Sequence, residues 1–97
     1  MRVTATADAA QFIRAHGGQL FVWPAEHRSA RLTLVLLEAS VDPPPGALDF
    51  RRVEAGQFLL FMHPAFKALP EELLVELRGR RRPRIEAYWD GLAYIVA

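Results

Sequence analysis

Pro70-Glu71-Glu72-Leu73-Leu74-Val75-Glu76-Leu77-Arg78-Gly79 decides the fold, because it obeys two incompatible rules at once. Proline at the first position, carboxylates in the first turn and glycine after the last residue are marks of a helix. Yet Leu73, Val75 and Leu77 alternate with Leu74, Glu76 and Arg78, which is the period-2 pattern of a strand with one buried face. Taken alone, residues 70–78 satisfy both readings.

Working outward, the C-terminal side is clearer. After a basic run, residues 84–89 and 92–96 flank Asp90-Gly91, a pair preferred in two-residue type I′ turns, and this predicts a C-terminal β-hairpin. On the N-terminal side, residues 65–69 read as one helical turn behind the break at His63-Pro64. Residues 50–53 and 57–62 read as a hairpin around Ala55-Gly56. Asp42-Pro43-Pro44-Pro45-Gly46 suits neither helix nor ladder, so it is a stiff surface loop. Residues 32–39 are apolar at both alternating sets, which predicts a strand buried on both faces. Residues 19–23 are a strand halted by Pro24, with residues 24–31 as a polar loop. Residues 2–6 alternate as a short strand. Thr6 or Asp8 then caps a helix bearing Ala9, Phe12, Ile13 and His16, and Gly17-Gly18 ends it. The expectation is an α+β domain: a small mixed or antiparallel sheet, a short N-terminal helix and a C-terminal hairpin.

Composition sets the outer limits. The 97 residues fit one domain spanning 1–97, and 52% hydrophobic content with ten aromatics is enough to fill one core. The longest apolar runs fall far short of the roughly 20 residues of a membrane-spanning helix, and residues 2–8 lack the apolar core of a signal peptide. The chain has no cysteine, which excludes disulfides, thiolate catalysis and Cys-held metals from it and points to a cytoplasmic setting. A formal charge of +1 gives no global attraction to nucleic acid or membrane.

The order of elements resembles the HesB-like, or A-type iron–sulfur carrier, superfamily. The resemblance rests on Val3-Thr4-Ala5-Thr6-Ala7-Asp8-Ala9-Ala10 as first strand and capped helix, and on Gly17-Gly18 before a strand. It continues with residues 34–39 leading into the Asp42-Pro43-Pro44 loop, then Phe50 and residues 56–62 in register, and it covers about residues 2–77. It implies a HesB-like fold and favours the strand reading of residues 73–77. Carriers of this type hold iron or a cluster through three cysteines, one entering the long central strand and two near the C-terminus. Those positions correspond here to the neighbourhood of Ala30 and to a place within residues 84–97, and neither offers a thiol. Soft thiolates are what such clusters require. The resemblance therefore implies a divergent member that has kept the scaffold without cofactor or metal ligands.

Other chemistry is sparse. Ser29 and Ser40 lack a nucleophile elbow, and Gly17-Gly18 lacks the Lys and Ser/Thr of a phosphate loop. No catalytic set is recognised, so no enzyme is expected. His16, His27 and His63 have no metal-ligand spacing; the bland reading puts His16 at a helix end and the other two in loops. Arg78-Gly79-Arg80-Arg81-Arg82-Pro83-Arg84 holds five of the twelve basic residues. Arg78, Arg80, Arg81, Arg82 and Arg84 are candidates for phosphate or nucleic-acid contact, with Tyr88 or Trp89 as stacking platforms. Against this stands a plain solvated hairpin connection. Trp23, beside a proline, and Trp89, beside a turn, are the candidate anchors for a protein partner. The remaining aromatics read as core. The sequence leaves the oligomeric state open: an unpaired sheet edge can support self-association, with residues 57–62 as the candidate edge if that strand is not central. The leading reading is a binding or interaction module; nucleic-acid contact and a His-dependent metal protein or small enzyme are the alternatives.

Overall fold

Residues 72–78 are a strand, and its partners explain why. A computed structural model describes residues 1–95. In it, β1 (Arg2–Ala5), α1 (Ala7–Ala15), β2 (Gln19–Arg28) and β3 (Thr33–Ser40) are followed by β4 (Arg51–Val53), β5 (Leu59–Met62) and β6 (Glu72–Arg78). β7 (Arg84–Trp89) and β8 (Tyr94–Ile95) complete the order. β6 is the central strand of a three-stranded sheet, parallel to β1 with Val3 opposite Leu73, and antiparallel to β7 with Val75 opposite Ala87. Leu73 and Val75 are fully buried. Ladder bonds on both sides and complete burial outweigh the helical end signals, a tertiary override of a weak local propensity.

The second sheet has the order β4-β5-β2-β3-β8. Leu20, Val22, Leu37, Leu60 and Met62 from this sheet meet Leu73, Val75, Ile85 and Ala87 from the other, with Ala9 and Ile13 of α1 filling the space beside them. α1 starts where Thr6 Oγ1 accepts from the Ala9 N–H at 3.3 Å, so Thr6 is the cap. It ends where the Gly18 N–H returns to the Ile13 carbonyl at 2.9 Å, with Gly17 and Gly18 at positive φ.

Four expectations are corrected. Pro24 does not end its strand: β2 continues to Arg28, with Pro24 opposite Leu37. The Val22 carbonyl accepts from His63, so by strand alternation the nitrogen of Pro24 points to the same side, just past the last residue of β2 paired with β5. No ladder bond is lost there. β3 is not buried on both faces: Leu34 and the preceding Leu32 are exposed, because the far half of the β2–β3 ribbon extends beyond β5. Residues 57–62 do not form an edge, since β5 lies between β4 and β2. The terminal hairpin keeps its turn but exchanges its partner. Trp89 and Leu92 bond across Asp90-Gly91, both at positive φ, whereas β8 leaves β7 and pairs with β3, Val35 opposite Ile95. Val96 of the expected strand lies outside the described residues.

The strand reading separates two adjacent leucines. Leu73→Ala is expected to lower unfolding free energy in urea by about 2–5 kcal/mol, as for other buried leucines. Leu74→Ala, on the outward face, is expected to cost about 1 kcal/mol or less. Equal losses would contradict the register.

Candidate functional site

The outward face of β6 and β7 carries the densest set of interacting polar groups. Alternation sends the odd-numbered residues of these strands into the core and leaves Leu74, Glu76, Arg78, Arg84, Glu86 and Tyr88 outside. The register places Glu76 opposite Glu86 and Arg78 opposite Arg84. Two like-charged pairs are unfavourable taken singly, but stacked one step apart they give each charge an opposite neighbour along its own strand. Arg78 Nη2 donates to Glu76 Oε2 at 2.6 Å, and its Nε lies 3.7 Å from Glu86 Oε2. Arg84 Nη2 donates to Glu86 Oε1 at 3.1 Å, and the Tyr88 hydroxyl donates to Glu86 Oε2 at 2.7 Å.

Glu86 is the hub. Donation from Tyr88, ahead of the Arg84 and Arg78 guanidinium groups, holds its carboxyl below the ordinary carboxylate value against a smaller opposing effect of burial. The same bond raises Tyr88, because deprotonation would set a phenolate against a carboxylate. Arg78 is also raised, first by Tyr88 and then by Glu76. Arg78 and Arg84 are thus committed to carboxylates at the base of the hairpin. Residues 79–83 form the hairpin connection itself, with Arg80, Arg81 and Arg82 exposed at its tip.

The anticipated stacking platforms are not free. The Trp89 indole packs on Phe66 with ring centroids 5.0 Å apart, facing the core, and the Tyr88 hydroxyl is tied to Glu86. Trp23 is half-buried and opposite Glu38, on the face of the larger sheet that looks away from the core. On that face Phe21 stacks on Phe61 at 5.2 Å and meets Phe50 at 6.0 Å.

The histidines stay apart. At the end of α1, His16 Nδ1–H donates to the Phe12 carbonyl at 2.7 Å. His63 Nδ1 accepts from the Ala65 N–H in the loop after β5. His27 lies within β2 rather than in a loop, because the strand runs through Pro24, and its Nε2 stands 3.6 Å from Glu38 Oε1. Among the described residues no group of three His, Asp or Glu side chains is placed to hold a metal ion.

Ala30 occupies the exposed turn between β2 and β3, which is closed by the Ser29 N–H donating to the Leu32 carbonyl at 2.9 Å. β8 runs antiparallel to β3 and so heads toward this turn. Between β3 and β7, which lie side by side without pairing, runs a cleft of about 320 Å³ walled by Leu37, Ala39, Arg84 and Ala87. It shares Ala39, Arg84 and Ile85 with a neighbouring cleft of about 270 Å³ that reaches His16 and Asp42. Among the described residues no buried side-chain polar atom is left without a partner.

A two-sheet core with one capped helix, a long β2–β3 ribbon and a C-terminal strand returning to β3 is the fold of the A-type iron–sulfur carriers. The crystal structure of Escherichia coli SufA, involved in biosynthesis of iron–sulfur clusters, is similar over 92% of this chain and 81% of its own, with a TM-score of 0.54 and 14% identity. That of IscA with the [2Fe-2S] cluster is similar over 98% of both chains, with a TM-score of 0.52 and 14% identity. No family profile and no curated protein matches the sequence. The likeness establishes the fold. Among the described residues, no helix is long and apolar enough to cross a membrane.

The Glu76–Glu86–Tyr88 set escaped the sequence reading. Its only signal was the i, i+2 spacing of Glu76-Arg78 and of Arg84-Glu86-Tyr88, which acquires meaning once both segments are strands in a known register. Because the folded pKa of Glu86 is lowered, its contribution to stability is present above the unfolded carboxylate value of about 4.3 and is lost as pH falls through the folded value. Tyr88→Phe removes the largest cause. The Glu86 carboxyl carbon, followed by NMR, is expected to titrate at higher pH in that variant, and the acid-side loss of stability should shrink. An unchanged titration would remove Tyr88 from the network.

Proposed function

We propose that the chain is a non-catalytic binding or interaction module on the A-type carrier scaffold, one that carries no iron–sulfur cluster. The observation that carries this reading is the turn at residues 29–32. The resemblance places a carrier's first cysteine in the neighbourhood of Ala30, the returning β8 comes toward the same turn, and no thiol occurs anywhere in the chain. Serine, arginine and leucine around Ala30 are no substitute for the soft ligands of a cluster. A fold can persist while its site chemistry changes, because core packing and ligand identity depend on different residues.

The scaffold still offers a surface. Trp23, Leu34 and Leu36 share the outward face of the β2–β3 ribbon, where a protein partner or a second copy would find a partly exposed aromatic beside aliphatic side chains. A cytoplasmic setting accords with this reading, since the chain dispenses with cysteine altogether.

Anaerobic incubation with ferrous iron and sulfide, followed by desalting, tests the central claim. The expected product is colourless, without thiolate-to-iron charge-transfer absorption and with no retained iron. A brown protein with stoichiometric iron and sulfide would overturn the reading and require ligands other than thiolates of this chain.

A further inference from the structure

The tip of the β6–β7 hairpin holds three positive charges, Arg80, Arg81 and Arg82, that form no ion pair among the described residues. Among the described residues, every ion pair on this hairpin involves Arg78 or Arg84, and none involves Arg80, Arg81 or Arg82. The carboxylates Glu76 and Glu86 therefore neutralise the base of the hairpin and not its end. Three consecutive guanidinium groups repel one another, and among the described residues no carboxylate is paired with them. Nor do they guard a sheet edge: they lie in the connection beyond the last paired residues, Arg78 and Arg84.

The tip is also a shaped loop. Gly79 has φ +92°, and a Cβ at that position would lie 2.7 Å from the Arg82 carbonyl oxygen, so the chain folds back on itself too tightly for any side chain there. Pro83 fixes its own φ and biases Arg82 to an extended conformation. A loop constrained in this way has less conformational freedom to lose when a ligand engages it.

We propose that Arg80, Arg81 and Arg82 form a clamp for the phosphodiester backbone of duplex nucleic acid, without regard to its sequence. Guanidinium suits phosphate because its planar fork donates two parallel hydrogen bonds. A duplex presents one negative charge per about 1.7 Å of axis, so a single tip meets several phosphates at once. Carboxylates on a protein surface are not arrayed at that density. Single-stranded binding would need aromatic platforms, and here Trp89 packs on Phe66 and Tyr88 is tied to Glu86. Contact is confined to the tip, because Glu72, Glu76 and Glu86 line the sheet face behind it, and Asp42 lies in the cleft beside Arg84. This inference goes beyond the cluster-free reading and stands independently of it, since the two concern opposite ends of the β3 strand.

Fluorescence polarisation with a labelled 20-base-pair duplex of arbitrary sequence tests it. Three phosphate contacts predict a slope of log affinity against log salt near −2.7, which is about a 40-fold loss between 50 and 200 mM. Arg80→Gln, Arg81→Gln and Arg82→Gln together should abolish binding at 50 mM while leaving the thermal melt in place. Arg28→Gln, Arg31→Gln and Arg51→Gln together remove the same charge elsewhere and should leave most of the binding. Equal loss in the two triple variants would reduce the interaction to net charge and overturn the assignment. So would no binding by the wild type at 50 mM, or a labelled polyglutamate that binds as tightly as the duplex.

Discussion

Everything in this fold depends on β6 being paired along both edges. It joins a strand about seventy residues earlier to one that follows immediately, parallel to β1 and antiparallel to β7. Its inward side chains, Leu73 and Val75, lie at the centre of the core, where both sheets and α1 meet. As a helix, the same residues would leave β1 and β7 without a common partner, and the three-stranded sheet would not exist. Burial of two leucine- and valine-sized side chains is worth several kcal/mol, more than the helix end signals of Pro70 and Gly79 supply.

The same alternation that buries Leu73 and Val75 creates the polar face opposite. Residues two apart share a face, so Glu76 and Arg78 on one strand, and Arg84, Glu86 and Tyr88 on the other, are brought into one network by the register. Like charges directly opposite one another are tolerated because each has an opposite charge one step along the strand. This arrangement divides the arginine run into two kinds of residue. Arg78 and Arg84 serve the sheet, while the three between them face solvent.

The likeness to SufA and IscA at 14% identity is a likeness of fold. In this chain the fold is held by a set of buried positions: Ala9 and Ile13 on the helix, Leu20 and Val22 on β2, Leu60 and Met62 on β5. None of these touches the turn at Ala30. A core of aliphatic residues sets the fold without fixing the chemistry of that turn.

Features governed by neighbours in sequence were legible without coordinates. Thr6 caps α1, Gly17-Gly18 ends it, and Asp90-Gly91 makes the tight turn, because each depends on backbone conformations that only certain side chains permit. The absence of thiolate chemistry was likewise a matter of composition. Features governed by distant partners were not legible. Pro24 is accepted within β2 because β5 pairs no further than Val22, and β8 leaves β7 because β3 offers it an edge. In each case the deciding term is a hydrogen bond or a buried contact between residues far apart in the chain, and only the tertiary structure brings them together.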